Sequence, residues 1–200
     1  MIGCYNRSVI LTYFGAALAL AGMYLAMAGL DAWAYLCLIF CGICDLFDGH
    51  IARRCKRNET EKAFGVQIDS LADVVSFLAL PAVIAAAWQD WTALAAVPYV
   101  LAGVIRLAWF NMSANDEAPA SFYTGLPVTY AALILPVYEA LHLWFPAAFP
   151  RQGFAVLYLL IAAAFVMRVP IKKPRGVWYV LFSLLALAVS AAIIAGAAHG

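Results

Sequence analysis

The sequence predicts an all-α, polytopic integral membrane helix bundle of six to seven transmembrane helices. Three observations predict it. Of 200 residues, 66% are hydrophobic and 12% charged, against roughly half and roughly a quarter in soluble domains. The mean hydropathy of +0.90 is more apolar surface than a chain of this length hides from water. The apolar residues also gather into runs near the ~20 residues that cross a ~30 Å hydrocarbon core.

In order, the runs are Ser8–Gly29, Ala32–Ala52, Gly65–Trp88, Trp91–Asn111, Phe122–Phe145, Gln152–Arg168 and Val177–Ala197. Gly29 and Asp31 separate the first two, Gln89-Asp90 the third and fourth, and Pro146 and Pro150 the fifth and sixth, all turn-forming residues. The sixth run is short and stops at Arg168-Val169-Pro170. The first run is about 22 residues long and more spans follow it, so it is read as a span and not as a removable signal peptide. No repeat or low-complexity segment divides the chain, and residues 1–200 are expected to form one domain.

Charge placement orients the spans. With the N-terminus inside, Arg7, Arg53, Arg54, Lys56, Arg57, Lys62, Arg106, Arg168, Lys172, Lys173 and Arg175 fall on the inner side and Arg151 alone on the outer. Basic residues favour the cytoplasmic side, so the linker after span two is expected to face the cytoplasm. The net charge of +1 gives no reason to expect a nucleic-acid partner. Cys37, Cys41 and Cys44 lie at helical spacing in an apolar run and are read as small packing residues, and an odd total of five argues against a disulfide framework.

Against this background four acids stand out. Asp45 and Asp48 close span two, and Asp69 and Asp73 open span three. A charged aspartate in a membrane helix costs at least a few kcal/mol and marks function by default. Spacings of three and four residues put each pair on one helix face. Facing one another, the two pairs would gather four carboxylates that repel unless cations intervene. Hard divalent ions take oxygen ligands, and paired ions serve displacement at phosphorus; a cation pathway or a proton relay would use the same acids. Gly49, Ala52 and Gly65 leave room beside them for a flat ligand, and Arg53 offers a bidentate contact to phosphate.

Written out, the segment is Asp45-x-x-Asp48-Gly49-x-x-Ala52-Arg53, eleven residues, Gly65-x-x-x-Asp69-x-x-x-Asp73. It resembles the signature of the CDP-alcohol phosphatidyltransferases at all eight specified positions, with a longer spacer. The resemblance implies transfer of a phosphatidyl-type group from a CDP-linked lipid to an alcohol, releasing CMP, with two divalent ions (Mg2+ or Mn2+). By that resemblance Asp45, Asp48 and Asp69 hold one ion and Asp45, Asp69 and Asp73 the other. Asp48, Gly49, Ala52, Arg53 and Gly65 lie against the CDP-lipid, as do Asn6 and Thr12 near the start of span one. Asp73 takes the proton of the attacking hydroxyl.

The resemblance covers roughly residues 8–174 and leaves the last span unmatched. Ser70, Val74, Pro81, Arg106-Leu-Ala-Trp109-Phe110-Asn111 and Phe122-Tyr-Thr-Gly125-Leu-Pro127 are similar to the branch that transfers to serine, except that Trp109 stands where that branch has arginine. This implies CDP-diacylglycerol and L-serine as substrates, or another acceptor such as glycerol phosphate or inositol phosphate, and a homodimer in the bilayer. Arg106 and Asn111 are expected at the acceptor or at a donor phosphate. Glu139, in the outer half of span five, is expected to make a polar contact.

Overall fold

The computed structural model describes residues 9–54, 58–113, 122–172 and 177–199. It is a helix bundle: α1 (Ile10–Met27), α2 (Asp31–Arg54), α3 (Glu59–Asp73), a π-helical segment (Val74–Ala79) leading into α4 (Leu80–Ala87), α5 (Thr92–Ser113), α6 (Ala131–Trp144), α7 (Gly153–Val166) and α8 (Val177–His199). Among the described residues five helical stretches are long and apolar enough to cross a membrane, while Val128–Trp144 and Gly153–Val166 are shorter. The chain is thus a multi-pass membrane protein by its helices.

The first two helices pack through small residues. Thr12, Gly15, Ala19, Gly22 and Ala26 form the buried stripe of α1. Gly15 faces the Cβ of Cys44, and a Cβ on Gly22 would lie 2.9 Å from that of Cys37. Small residues let membrane helices approach closely, which is how the cysteines of α2 are used. Cys41 also donates its thiol to the Gly15 carbonyl at 3.2 Å. The deeper core is aromatic and aliphatic, with Tyr35, Phe77, Tyr99, Phe154 and Tyr158 fully buried.

Three elements depart from the expected spans. The third begins at Glu59 rather than Gly65, because Asn58 and Glu61 close a reciprocal capping box that starts the helix six residues earlier. Asp69 therefore lies well inside a helix instead of opening one. The fifth expected span does not begin as helix: Phe122–Thr124 is strand β1, paired antiparallel with strand β2 (Pro170–Lys172). Gly125 follows β1 at φ +78°, where a Cβ would sit 2.7 Å from the Phe165 carbonyl oxygen, so the turn needs glycine. The sixth span stops as helix at Val166, because the next residues turn extended to reach β2.

The π-helical segment follows Asp73 directly. Pro81 has no N–H with which to donate to the Phe77 carbonyl four residues earlier, and the Tyr99 hydroxyl donates to that carbonyl instead. Tyr158 donates to the Pro81 carbonyl at 2.8 Å. Single π turns are rare and recur at functional sites; this one re-registers the helix below Asp73.

Candidate active site

Asp45 and Asp48 project from the last turns of α2, and Asp69 from the last two turns of α3. Carboxylate oxygens of Asp45, Asp48 and Asp69 lie within 4.8 Å of one another. Asp48 is buried, and Asp45 and Asp69 are half-buried. Asp73 stands outside that group of three, yet it lines the same small cavity, together with Thr12, Asp45, Asp48 and Asp69. It is within electrostatic reach of the other three acids and of Arg106.

Thr12 is brought to the site by the α1 stripe and donates its hydroxyl to Asp48 Oδ2 at 3.0 Å. On the opposite flank Ser70 donates to Asn111 Oδ1 at 3.0 Å, tying α3 to the end of α5. Arg106 is buried on α5 and lies over the ring of Phe110 at 5.4 Å. Trp109, which replaces an expected arginine, has the guanidinium of Arg168 over its ring at 5.9 Å. Arg168 is carried by the segment after α7.

Three hard oxygen donors this close suit a divalent cation, whose ligands are carboxylate oxygens. Thr12 satisfies one lone pair of Asp48 in the manner of groups that orient metal ligands. The donor set therefore fits a divalent cation.

Not every expected site residue is brought together. Gly49 lines a larger cavity against Asp45, Asp48 and Asp69. Gly65 lies on α3 one turn before Asp69. Ala52 and Arg53 belong to the last turn of α2, but their side chains lie outside the described residues, as does all of Asn6. Arg106 acts on Asp73, and Asn111 reaches Ser70.

Sequence reasoning missed Thr129, Tyr130, Tyr179 and Ser183, which line the larger cavity. Nothing in the sequence marks them, since they are ordinary residues of apolar helices joined to the acids only by the fold. Glu139 makes its contacts far from the acids: it is buried and within electrostatic reach of Asp31 and Arg151.

The chain matches the CDP-alcohol phosphatidyltransferase family over residues 5–197. That match includes α8, so the similarity does not stop at residue 174 as the motifs had suggested. The CDP-diacylglycerol–serine O-phosphatidyltransferase of Helicobacter pylori is 40% identical over 99 residues, covering 46% of this chain and 40% of that protein. The archaetidylserine synthase of Methanothermobacter thermautotrophicus is 28% identical over 150 residues, 71% of this chain and 58% of that protein. The CDP-diacylglycerol–serine O-phosphatidyltransferase of Mycobacterium tuberculosis is 27% identical over 169 residues, 76% and 58%. The chain thus spans about two fifths to three fifths of the length of these relatives. Helices, acids and family match converge: the chain belongs to the CDP-alcohol phosphatidyltransferase family.

Proposed function

We propose that residues 1–200 act as one catalytic domain that transfers a phosphatidyl group from CDP-diacylglycerol, or an ether-linked CDP-lipid, to the hydroxyl of L-serine. The observation that carries this is the meeting of Asp45, Asp48 and Asp69 within 4.8 Å, inside an eight-position signature on two adjoining apolar helices. The serine relatives add the acceptor to the reading. The serine oxygen attacks the phosphorus that bears the lipid, the bond from that phosphorus to the CMP oxygen breaks, and CMP leaves. The hydroxyl proton passes to Asp73, which is within electrostatic reach of the buried Arg106. An aspartate with an ordinary pKa of ~3.9 accepts it only in concert with attack.

Asp45, Asp48, Asp69 and Asp73 would hold two divalent ions, Mg2+ or Mn2+. Bound there, such ions neutralise the pyrophosphate and polarise its oxygens. Gly49, Ala52, Arg53, Gly65, Asn6 and Thr12 are assigned to the CDP moiety. Arg106 and Asn111 are assigned to the carboxylate of serine or to a donor phosphate. The excess of basic residues on one side supports a site at the cytoplasmic face.

Purified protein given CDP-diacylglycerol, Mg2+ or Mn2+ and labelled serine tests the proposal. The expected result is ion-dependent CMP release with one labelled phospholipid formed per CMP. CMP release only with glycerol phosphate or inositol phosphate would reassign the acceptor. No CMP release with any acceptor would overturn the reaction class.

A further inference from the structure

The helix that carries Asp69 and Asp73 does not run into the core as one regular α-helix. Asp73 ends α3, and Val74–Ala79 wind as the π-helical segment before α4 resumes at Leu80. A π turn takes up one residue more than an α turn, and one residue is about 100° of helix rotation. The segment therefore sets how α3, with its acids, is turned relative to α4. α4 is not free to turn, because Leu80, Pro81, Ile84 and Ala85 are buried. A change within the π segment is passed to Asp73.

One face of α5 grips this segment. Tyr99, Gly103 and Arg106 stand four and three residues apart, which puts them on a single helix face. They meet the other helix in antiparallel order. The Tyr99 hydroxyl donates to the Phe77 carbonyl, which Pro81 cannot serve. A Cβ on Gly103 would collide with the Leu78 side chain, so glycine is what lets the two helices approach there. Arg106 is within electrostatic reach of Asp73 itself. Tyr99 is fully buried, and its ring meets that of Tyr158 edge to face at 5.1 Å. Tyr158 in turn donates to the Pro81 carbonyl at 2.8 Å.

A buried carbonyl needs a donor, and a purely structural tyrosine would do no more than supply one. Here the same helix face also packs on the next residue and reaches the acid at the head of the segment. We infer that Tyr99 is a positioning residue for the transfer: with Gly103 it fixes the π turn and so holds Asp73 where it takes the hydroxyl proton. Tyr99 lines neither the small cavity at the acids nor the larger one beside it, so it acts through the helix and not on the substrate. The inference rests on the transfer reading above, in which Asp73 is the proton acceptor.

The test is steady-state kinetics on the full chain in bilayer nanodiscs, with CDP-diacylglycerol, Mn2+ and labelled serine. Tyr99→Phe keeps the ring and removes the donor. It should lower kcat about tenfold, while the KM for the lipid donor and the Mn2+ affinity stay within about twofold of the parent. Tyr138→Phe removes a similar hydrogen bond, to the Pro150 carbonyl at the far end of the bundle, and should leave kcat within about twofold. The Asp73→Asn background separates positioning from stability. There Tyr99→Phe should lower the residual turnover no further, because residues that act as one unit are not additive. Gly103→Ala should also lower kcat about tenfold, and adding Leu78→Ala should restore it by removing the atoms that the new Cβ meets. No restoration would retire Gly103 from the assignment. A kcat unchanged by Tyr99→Phe, or a tenfold loss that persists in the Asp73→Asn background, would overturn the inference and leave the transfer reading intact. No CMP release by the parent with any acceptor would overturn the transfer reading and this role with it.

Discussion

The two ends of the bundle use carboxylates in opposite ways. At the end remote from the site, Asp31 accepts a hydrogen bond from Trp88 Nε1 at 2.7 Å and an ion pair from Arg151 at 3.5 Å. Arg151 also lies over the Trp88 ring at 5.0 Å, and Glu139 is within electrostatic reach of the same arginine. These acids are answered by protein groups, and they tie α2, α4, α6 and the start of α7 together. At the other end Asp45, Asp48 and Asp69 crowd together with a hydroxyl from Thr12, while Arg106 acts on Asp73. Residue type does not separate structure from function here; the supply of partners does. Asp45, Asp48 and Asp69, crowded together with no ion pair among the described residues, mark the site.

Substitutions break this contrast in a graded order. Asp45→Asn should have the largest effect, lowering CMP release about a thousandfold, equivalent to about 4 kcal/mol in the barrier. It should also weaken ion-dependent donor binding, since Asp45 is assigned to both ions. Thermal stability should hold or rise, because a repelling charge is removed. Asp73→Asn should cost turnover to a similar degree and leave ion-dependent CDP-lipid binding largely in place; steady-state kinetics and a donor-binding isotherm separate the two roles. Thr12→Val removes the group that orients Asp48 and should weaken divalent-ion affinity about tenfold, read by titration with Mn2+. Smallest at the site is the effect of the remote end. Trp88→Phe removes the hydrogen bond to Asp31 and should lower Tm by about 4 °C, with kcat/KM within about twofold of the parent. A large loss of turnover in Trp88→Phe with unchanged Tm would erase the distinction between the two ends.

Much of the site was legible because its signal is local. The four aspartates sit at fixed spacing on two consecutive helices, and lipid makes such acids conspicuous. Thr12 is assigned to the CDP-lipid by its resemblance to polar positions of the family, and the fold sets it against Asp48. What escaped is non-local or quiet. The pairing of Phe122–Thr124 with Pro170–Lys172 joins two three-residue segments far apart in the chain, too short for any alternation to show. The early start of α3 did leave a mark, since Asn58 and Glu61 are a capping box three residues apart. Hydropathy does not show that start, because it ignores a polar first turn. The α8 wall of the larger cavity leaves none, because Tyr179, Phe182 and Ala186 look like any lipid-facing helix until α2 and α6 are set beside them.

We propose that the crowded acids hold divalent ions and that the remote acids do not. Mn2+ binding followed by electron paramagnetic resonance, in the presence of CDP-diacylglycerol, tests it most directly. The account predicts tight Mn2+ binding by the parent protein, its loss in Asp45→Asn, and its retention in Asp31→Asn. Equal loss in both variants, or no Mn2+ bound by the parent, would contradict it.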